Sequence, residues 1–238
     1  MSLSNDPAFS RLKNRFVCGY HDITGSDYAG RSGIHPIGGN AIRTTNGAGP
    51  HNVQLFMLAP DGTVLHCLPG YWDPEDLVVE MDLAEELYTV WKDRSLTRAQ
   101  KDVRFAELQM GHTAMHSFRM VRRSRMQGFD QKFEARRADT SDAVADPSML
   151  VGLPRKGKMP QNAFKTTDVI VHERMSARPF RAYNDFDVAA YTDYGRPKYD
   201  KREDSRDASG KPVNAGSGTS RGAGSGSSLD AGSGSSRD

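Results

Sequence analysis

Cysteines and long apolar runs are scarce in this chain of 238 residues. Its two cysteines, Cys18 and Cys67, are far apart in sequence, so the chain holds no Cys-X-X-Cys pair and too few thiols for a disulfide framework. No apolar run approaches the roughly 18 residues that cross a bilayer, and the N-terminal segment carries charges throughout. We therefore expect a soluble product without a signal peptide or a membrane contact, and its location stays open.

Common catalytic motifs are missing as well. We find no Walker sequence, no nucleophile elbow and no ordered Ser/His/Asp set, and Thr113 stands where a His-Glu-X-X-His protease motif needs its glutamate. The formal net charge is +2, which does not indicate a polyanion-binding protein as a whole. A hydrophobic content of 37% is low for this length and predicts that part of the chain is not packed.

The most informative segment spans residues 50–72. Two apolar runs flank Asp61-Gly62, a dipeptide typical of tight hairpin turns, and Gly70 follows the second run. Asp73 and Pro74 then predict the N-terminus of a helix whose apolar residues recur every three or four positions. Upstream, Asp6-Pro7 predicts a short helix, and residues 16–23 are apolar and aromatic enough for a strand.

In this order of elements, residues 1–93 resemble the distal part of a thioredoxin domain, with Pro50 at the position of the proline that opens the hairpin. The resemblance implies a partial thioredoxin-like sheet, and it gives Pro50 a place on the substrate side. The family's catalytic cysteines have no counterpart here. We expect that an N-terminal segment has been lost, and that this segment or a protein partner completes the sheet.

Residues 94–137 predict a long basic helical extension. Arginines gather towards its end, and four of them are candidate partner-binding residues: Arg119, Arg122, Arg123 and Arg125. Basic side chains near a helix C-terminus complement the helix dipole, which is one explanation for the cluster. Binding of nucleic acid or of an acidic partner is the alternative, because phenylalanines alternate with the charges.

His112 and His116 are four positions apart on this predicted helix and would point in the same direction. That spacing can chelate a metal ion, although packing of both histidines in a core or an interface also explains it. Further possible ligands in the first segment are His21, His51, His66, Cys18 and Cys67. We expect no other cofactor.

The remaining chain divides into two segments. Residues 138–206 predict an irregular segment that is poorly ordered to about Gln161, has a short strand at 168–172 and carries an aromatic stretch at 179–199 that docks on its own domain. Residues 207–238 predict a disordered Gly/Ser-rich tail.

The sequence thus predicts an α/β fold with an added long α-helix and a disordered tail. The predicted function is a redox-inactive thioredoxin-like binding or scaffold module, so an enzyme is not favoured. Two alternatives remain. One is a C-terminal fragment of a thiol-disulfide oxidoreductase that has lost its catalytic segment, and the other is a nucleic-acid or acidic-partner binder that uses the basic block.

Overall fold

The computed structural model describes residues 2–32, 44–153 and 157–199. Within these ranges helices dominate over two small sheets, so the fold is of α/β character. The helices are α1 Ala8–Arg15, α2 Pro74–Lys92, α3 Arg98–Thr113, α4 Phe118–Arg123, α5 Gly128–Glu134, α6 Thr167–Ser176 and α7 Val188–Thr192. The strands are β1 Arg31–Ser32, β2 Gln54–Leu58, β3 Val64–Pro69 and β4 Lys198–Tyr199.

The predicted hairpin is confirmed. Strands β2 and β3 pair in antiparallel fashion from Gln54 opposite Pro69 to Leu58 opposite Val64. Gly62 closes the turn with a φ of 83°, a left-handed conformation that favours glycine. Every residue of β3 is buried, so this strand lies at the centre of the core.

The strand predicted at residues 16–23 is wrong. This segment follows α1 without joining a sheet, and the side chains of Val17 and Tyr20 are almost fully exposed. An apolar, aromatic composition favours a strand only where a neighbouring strand supplies hydrogen bonds and a face to bury against. A second, short sheet consists of β1 and β4, which pair in parallel.

Helix α2 begins as the sequence predicts. The Asp73 carboxylate accepts a hydrogen bond from the Glu75 backbone N–H at 3.0 Å, and Pro74 occupies the first turn. Leu77, Met81 and Ala84 of the predicted apolar stripe are buried. The helix therefore lies on the hairpin through the face that its periodicity indicates.

The long α-helix predicted within the extension at residues 94–137 is not continuous, because the chain forms three α-helices there. Helix α3 has a capping box in which Thr97 and Gln100 bond each other's backbone N–H groups. It ends at Thr113, and Ser117 then caps α4 by accepting a hydrogen bond from the Met120 N–H. The Ser117 hydroxyl bonds a backbone N–H and so favours a new helix start at this position. The chain therefore turns between α3 and α4.

The strand predicted at residues 168–172 is also wrong, since these residues lie in helix α6. Seven of the ten residues of α6 are buried, among them Ile170, Val171 and Met175. A helix enclosed on most sides loses the polar/apolar alternation that marks a surface helix. A short apolar run is therefore compatible with either structure.

Residues 138–153 are ordered, contrary to the prediction. Ala143 is fully buried, and Val144 forms an isolated antiparallel bridge with Phe164. Small residues of this kind allow close packing that composition alone does not reveal. The aromatic stretch docks on its own chain as expected, since its most buried rings are Phe180, Phe186, Tyr191 and Tyr194.

One core cluster draws on α1, the hairpin, α2, α3, α6 and α7, so the three described segments share a hydrophobic core. Helix α6 contacts both α3 and β3 beneath it. Among the residues described, we find no helix that combines the length and apolarity needed to span a membrane. The glycine-rich residues 33–43 and the predicted tail at 207–238 lie outside the described residues.

Candidate metal centre

Four side chains from three parts of the chain converge in the core. Glu80 lies in the middle of α2, His112 in the last turn of α3, His116 just after α3 and His172 in α6. Their ligand atoms all lie within 4.8 Å of one another. The side chains of Glu80, His116 and His172 have no exposed surface, and that of His112 is 7% exposed.

The spacing of these atoms matches one metal ion. Nε2 of His112 lies 3.5 Å from Glu80 Oε2, Nε2 of His116 lies 3.5 Å from Glu80 Oε1, and Nε2 of His172 lies 3.2 Å from Oε2 and 3.3 Å from Oε1. A tetrahedral zinc ion with bonds of about 2.0–2.1 Å separates its ligand atoms by about 3.3 Å. Three imidazoles and one carboxylate are also donors that zinc accepts.

Hydrogen bonds determine which nitrogen of His116 faces the centre. Its Nδ1 lies 2.8 Å from the Oδ2 atom of Asp168, which is buried in the first turn of α6. A carboxylate only accepts hydrogen bonds, so Nδ1 carries the proton and Nε2 presents a lone pair to the centre. A carboxylate behind a ligating histidine is a recurrent arrangement in metal sites.

Gln109 determines in the same way which nitrogen of His172 faces the centre. The Gln109 Oε1 atom accepts from His172 Nδ1 at 2.6 Å, which leaves the His172 Nε2 lone pair for a metal. The other end of this amide, Nε2, lies 3.3 Å from His66 Nδ1. His66 is consequently protonated on Nε2, and that N–H donates to Glu80 Oε2 at 3.0 Å.

Two nitrogen atoms of this centre have no hydrogen-bond donor facing them. Nε2 of His112 and Nε2 of His116 are buried and have no hydrogen-bond partner. Nε2 of His172 lies 3.3 Å from Glu80 Oε1, whereas the two other Nε2 atoms have no such partner. Buried polar atoms are nearly always satisfied, so two unpaired acceptors beside a buried carboxylate fit a site that could hold a cation.

Electrostatics favour a neutral His112 beside a charged carboxylate. Burial lowers the pKa of His112 to about 4 and also lowers the pKa of His66. Burial alone would raise the pKa of Glu80, but His172 and His66 outweigh it and hold the pKa well below its usual range. The pKa of His116 is raised despite its burial, because of the hydrogen bond to Asp168. Metal ligation requires deprotonated Nε2 atoms and an ionised carboxylate.

The sequence identified two of the four candidate ligands, His112 and His116, and the structure brings them together with ring centroids 4.9 Å apart. They do not share one helix, because α3 ends between them. Glu80 and His172 were missed. A signal existed for Glu80, which interrupts the buried stripe of α2 at helical spacing from Leu77 and Leu87.

The other possible ligands lie elsewhere or play another part. His66 supports Glu80, as described above, while His21 is exposed and contacts the Tyr183 hydroxyl at 3.0 Å. His51 lines a separate cavity of about 410 Å³. Cys18 is an exposed free thiol and Cys67 a buried one. Pro50 is buried before β2, and its carbonyl accepts a hydrogen bond from Gln54.

The four candidate arginines divide into two pairs. Arg123 bonds both carboxylate oxygens of Asp76, and Arg123 and Arg119 both contact Glu75. Arg122 and Arg125 are exposed. Two of the four candidate arginines are thus engaged in ion pairs with α2.

Comparisons of this chain with protein-family models, with curated proteins and with solved structures found no match.

Proposed function

We propose that this protein binds one zinc ion through Glu80, His112, His116 and His172, and that the ion fastens α2, α3 and α6 into a rigid binding or scaffold module. The observation that carries the proposal is the pair of orphaned Nε2 atoms at tetrahedral distance from a buried carboxylate. The last turn of α3 adds to it, because a helix C-terminus favours a nearby cation.

A structural role is favoured over a catalytic one. Structural zinc sites use four protein ligands, whereas catalytic sites keep one position for water or substrate. Here four protein side chains are available, and only His112 reaches the surface at all. A metal that links three helices from distant parts of the chain would stabilise the folded state through its binding free energy.

The proposed module does not carry out thiol-disulfide exchange. Burial raises the pKa of the Cys67 thiol well above its usual value, so Cys67 is held as the unreactive thiol. Cys18 is exposed and has no neighbouring thiol among the described residues. An insulin-reduction assay with dithiothreitol is expected to show no rate above background, and a clear acceleration would contradict this part of the proposal.

Metal analysis tests the centre directly. The purified chain, exposed to Zn²⁺ and freed of excess ion, should retain one zinc per chain. The double variant His112→Ala/His116→Ala should retain none. The matched control, His21→Ala/His51→Ala, removes two histidines outside the centre and should bind as the unchanged chain does.

Thermal unfolding gives a second readout. At a zinc concentration about 1,000-fold above Kd, the ion adds about 4 kcal/mol to the free energy of unfolding. Chelation should then lower Tm by about 8–16 °C, because 1 kcal/mol corresponds to about 2–4 °C in a chain of this size. A chain that takes up no metal, or a Tm indifferent to chelation, would overturn the proposal.

A further inference from the structure

His66 does not face the centre as a ligand, yet it contacts the one ligand whose binding mode is variable. A carboxylate can bind a metal through one oxygen or through both. His66 donates its Nε2–H to Glu80 Oε2 at 3.0 Å, and neither side chain has any exposed surface. Water therefore does not compete for this hydrogen bond.

The orientation of His66 is set on two sides. The Gln109 amide nitrogen lies 3.3 Å from His66 Nδ1, so Nδ1 accepts and Nε2 must carry the proton. The His66 ring also stacks on the His172 ring, with centroids 5.2 Å apart and planes inclined by 18°. Tautomer and ring plane together direct one N–H at one carboxylate oxygen.

The other oxygen, Oε1, faces two ligand nitrogens. It lies 3.3 Å from Nε2 of His172 and 3.5 Å from Nε2 of His116. With the metal bound, both imidazoles carry their protons on Nδ1, where Gln109 and Asp168 accept them, so neither Nε2 donates to Oε1. Oε2 is equally close to ligand nitrogens, at 3.2 Å from Nε2 of His172 and 3.5 Å from Nε2 of His112. The His66 N–H is therefore the contact that distinguishes the two oxygens: it occupies Oε2 and leaves Oε1 for the metal.

Resting on the proposed zinc site, we propose that His66, positioned by Gln109, holds Glu80 in monodentate ligation and so determines that the metal is four-coordinate. Without the His66 N–H, Oε2 is released to the metal and the coordination number rises to five. Four-coordinate sites with imidazole ligands suit Zn²⁺, whereas Mn²⁺ prefers more oxygen donors and higher coordination numbers. His66 would thereby contribute to metal selectivity without touching the ion.

The test uses Co²⁺ as a spectroscopic substitute for Zn²⁺. Tetrahedral Co²⁺ has intense visible d–d bands, and five-coordinate Co²⁺ absorbs several-fold more weakly. The full chain and His66→Gln should both show the intense spectrum, because a glutamine amide can still donate to Oε2. His66→Leu should bind one Co²⁺ with the weaker spectrum, and its preference for Zn²⁺ over Mn²⁺ should fall.

Two further variants keep the outcome decisive. Gln109→Glu retains an acceptor for His172 but removes the donor to His66, which reverses the His66 tautomer and should weaken the Co²⁺ bands as His66→Leu does. Cys67→Ala, a buried change at the next position of β3, should leave the spectrum unaltered.

Failure of the proposed zinc site and failure of the role of His66 give different results. If the unchanged chain binds no Co²⁺ or Zn²⁺, the proposed function falls and this inference falls with it. If the chain binds one Co²⁺ but His66→Leu and Gln109→Glu keep the intense tetrahedral spectrum, only the role of His66 is overturned.

Discussion

Two buried glutamates, Glu80 and Glu134, differ in the residues that contact their carboxylates. Both side chains have no exposed surface. Glu134 receives two hydrogen bonds from Arg137 at 2.9 Å, one from the Ser141 hydroxyl at 2.5 Å and one from the Gly195 N–H at 2.7 Å. Its charge is neutralised by the chain itself.

Among the described residues, the carboxylate of Glu80 makes polar contacts only with histidines. His66 donates to it at 3.0 Å, and the Nε2 atoms of His112, His116 and His172, which lack a permanent charge, lie 3.2–3.5 Å from it. Ionised groups are buried only when they are paired or coordinate a metal. The comparison shows that burial of a carboxylate does not by itself indicate a metal site. The identity of its neighbours does, because arginine supplies both donors and charge, whereas a neutral histidine that points a lone pair inwards supplies neither.

The largest effect is expected from a test of this comparison with two variants, Glu80→Gln and Glu134→Gln. Glu80→Gln should lower the zinc affinity more than about 100-fold, since loss of a ligand exceeds the usual effect of changing its support. Glu134→Gln should bind zinc with unchanged affinity but lose about 1–3 kcal/mol of unfolding free energy through weakened charged hydrogen bonds.

Zinc titration and thermal unfolding with and without a chelator distinguish the two variants. Chelation should lower the Tm of Glu134→Gln as much as that of the unchanged chain, and should leave Glu80→Gln unaffected. Equal zinc affinity in both variants would show that the two glutamates do not differ in the way inferred here.

A smaller loss of zinc affinity is expected when the residue that supports His116 is changed. Asp168→Ala removes the acceptor of the His116 Nδ1–H and should weaken zinc binding about 10–100-fold, as is typical of residues that support a metal ligand. Competition with a zinc-binding dye measures the change. Asp142→Asn is the control, because Asp142 pairs with Arg174 instead of a candidate ligand; an equal loss in both variants would contradict the role of Asp168.

The smallest effect concerns pH at the Asp142–Arg174 pair. Burial alone would raise the pKa of Asp142, but the hydrogen bonds and charge of Arg174 outweigh it and lower the pKa below 3.8. The unfolded chain therefore takes up this proton first, and the pair's contribution is present above about pH 3.8 and is lost as the pH falls further. The Asp142 side chain is 53% exposed, so we expect less than about 1 kcal/mol.

The difference in unfolding free energy between the unchanged chain and Asp142→Asn should shrink as the pH is lowered from 5 to 3. Urea unfolding at each pH measures it. A difference that stays constant over this range would show that the charge of Asp142 does not stabilise the fold.

The sequence by itself determined the elements whose signals are local. Asp61-Gly62 specified the hairpin turn, Asp73-Pro74 specified the start of α2, and the four-residue spacing of His112 and His116 indicated a possible metal pair. These signals depend on backbone conformations and capping bonds within a few residues, so no tertiary contact is needed to express them.

Only the tertiary structure decided the helical state of α6 and the arrival of Glu80 and His172 beside the histidine pair. Residues 16–23 and 168–172 both have strand-like composition, but the first found no strand partner and the second was enclosed as a helix. Short apolar runs take the structure that their neighbours complete, because burial and backbone pairing outweigh intrinsic propensity. For the same reason the candidate metal centre, whose four ligands come from α2, the end of α3 and α6, is visible only after the chain has folded.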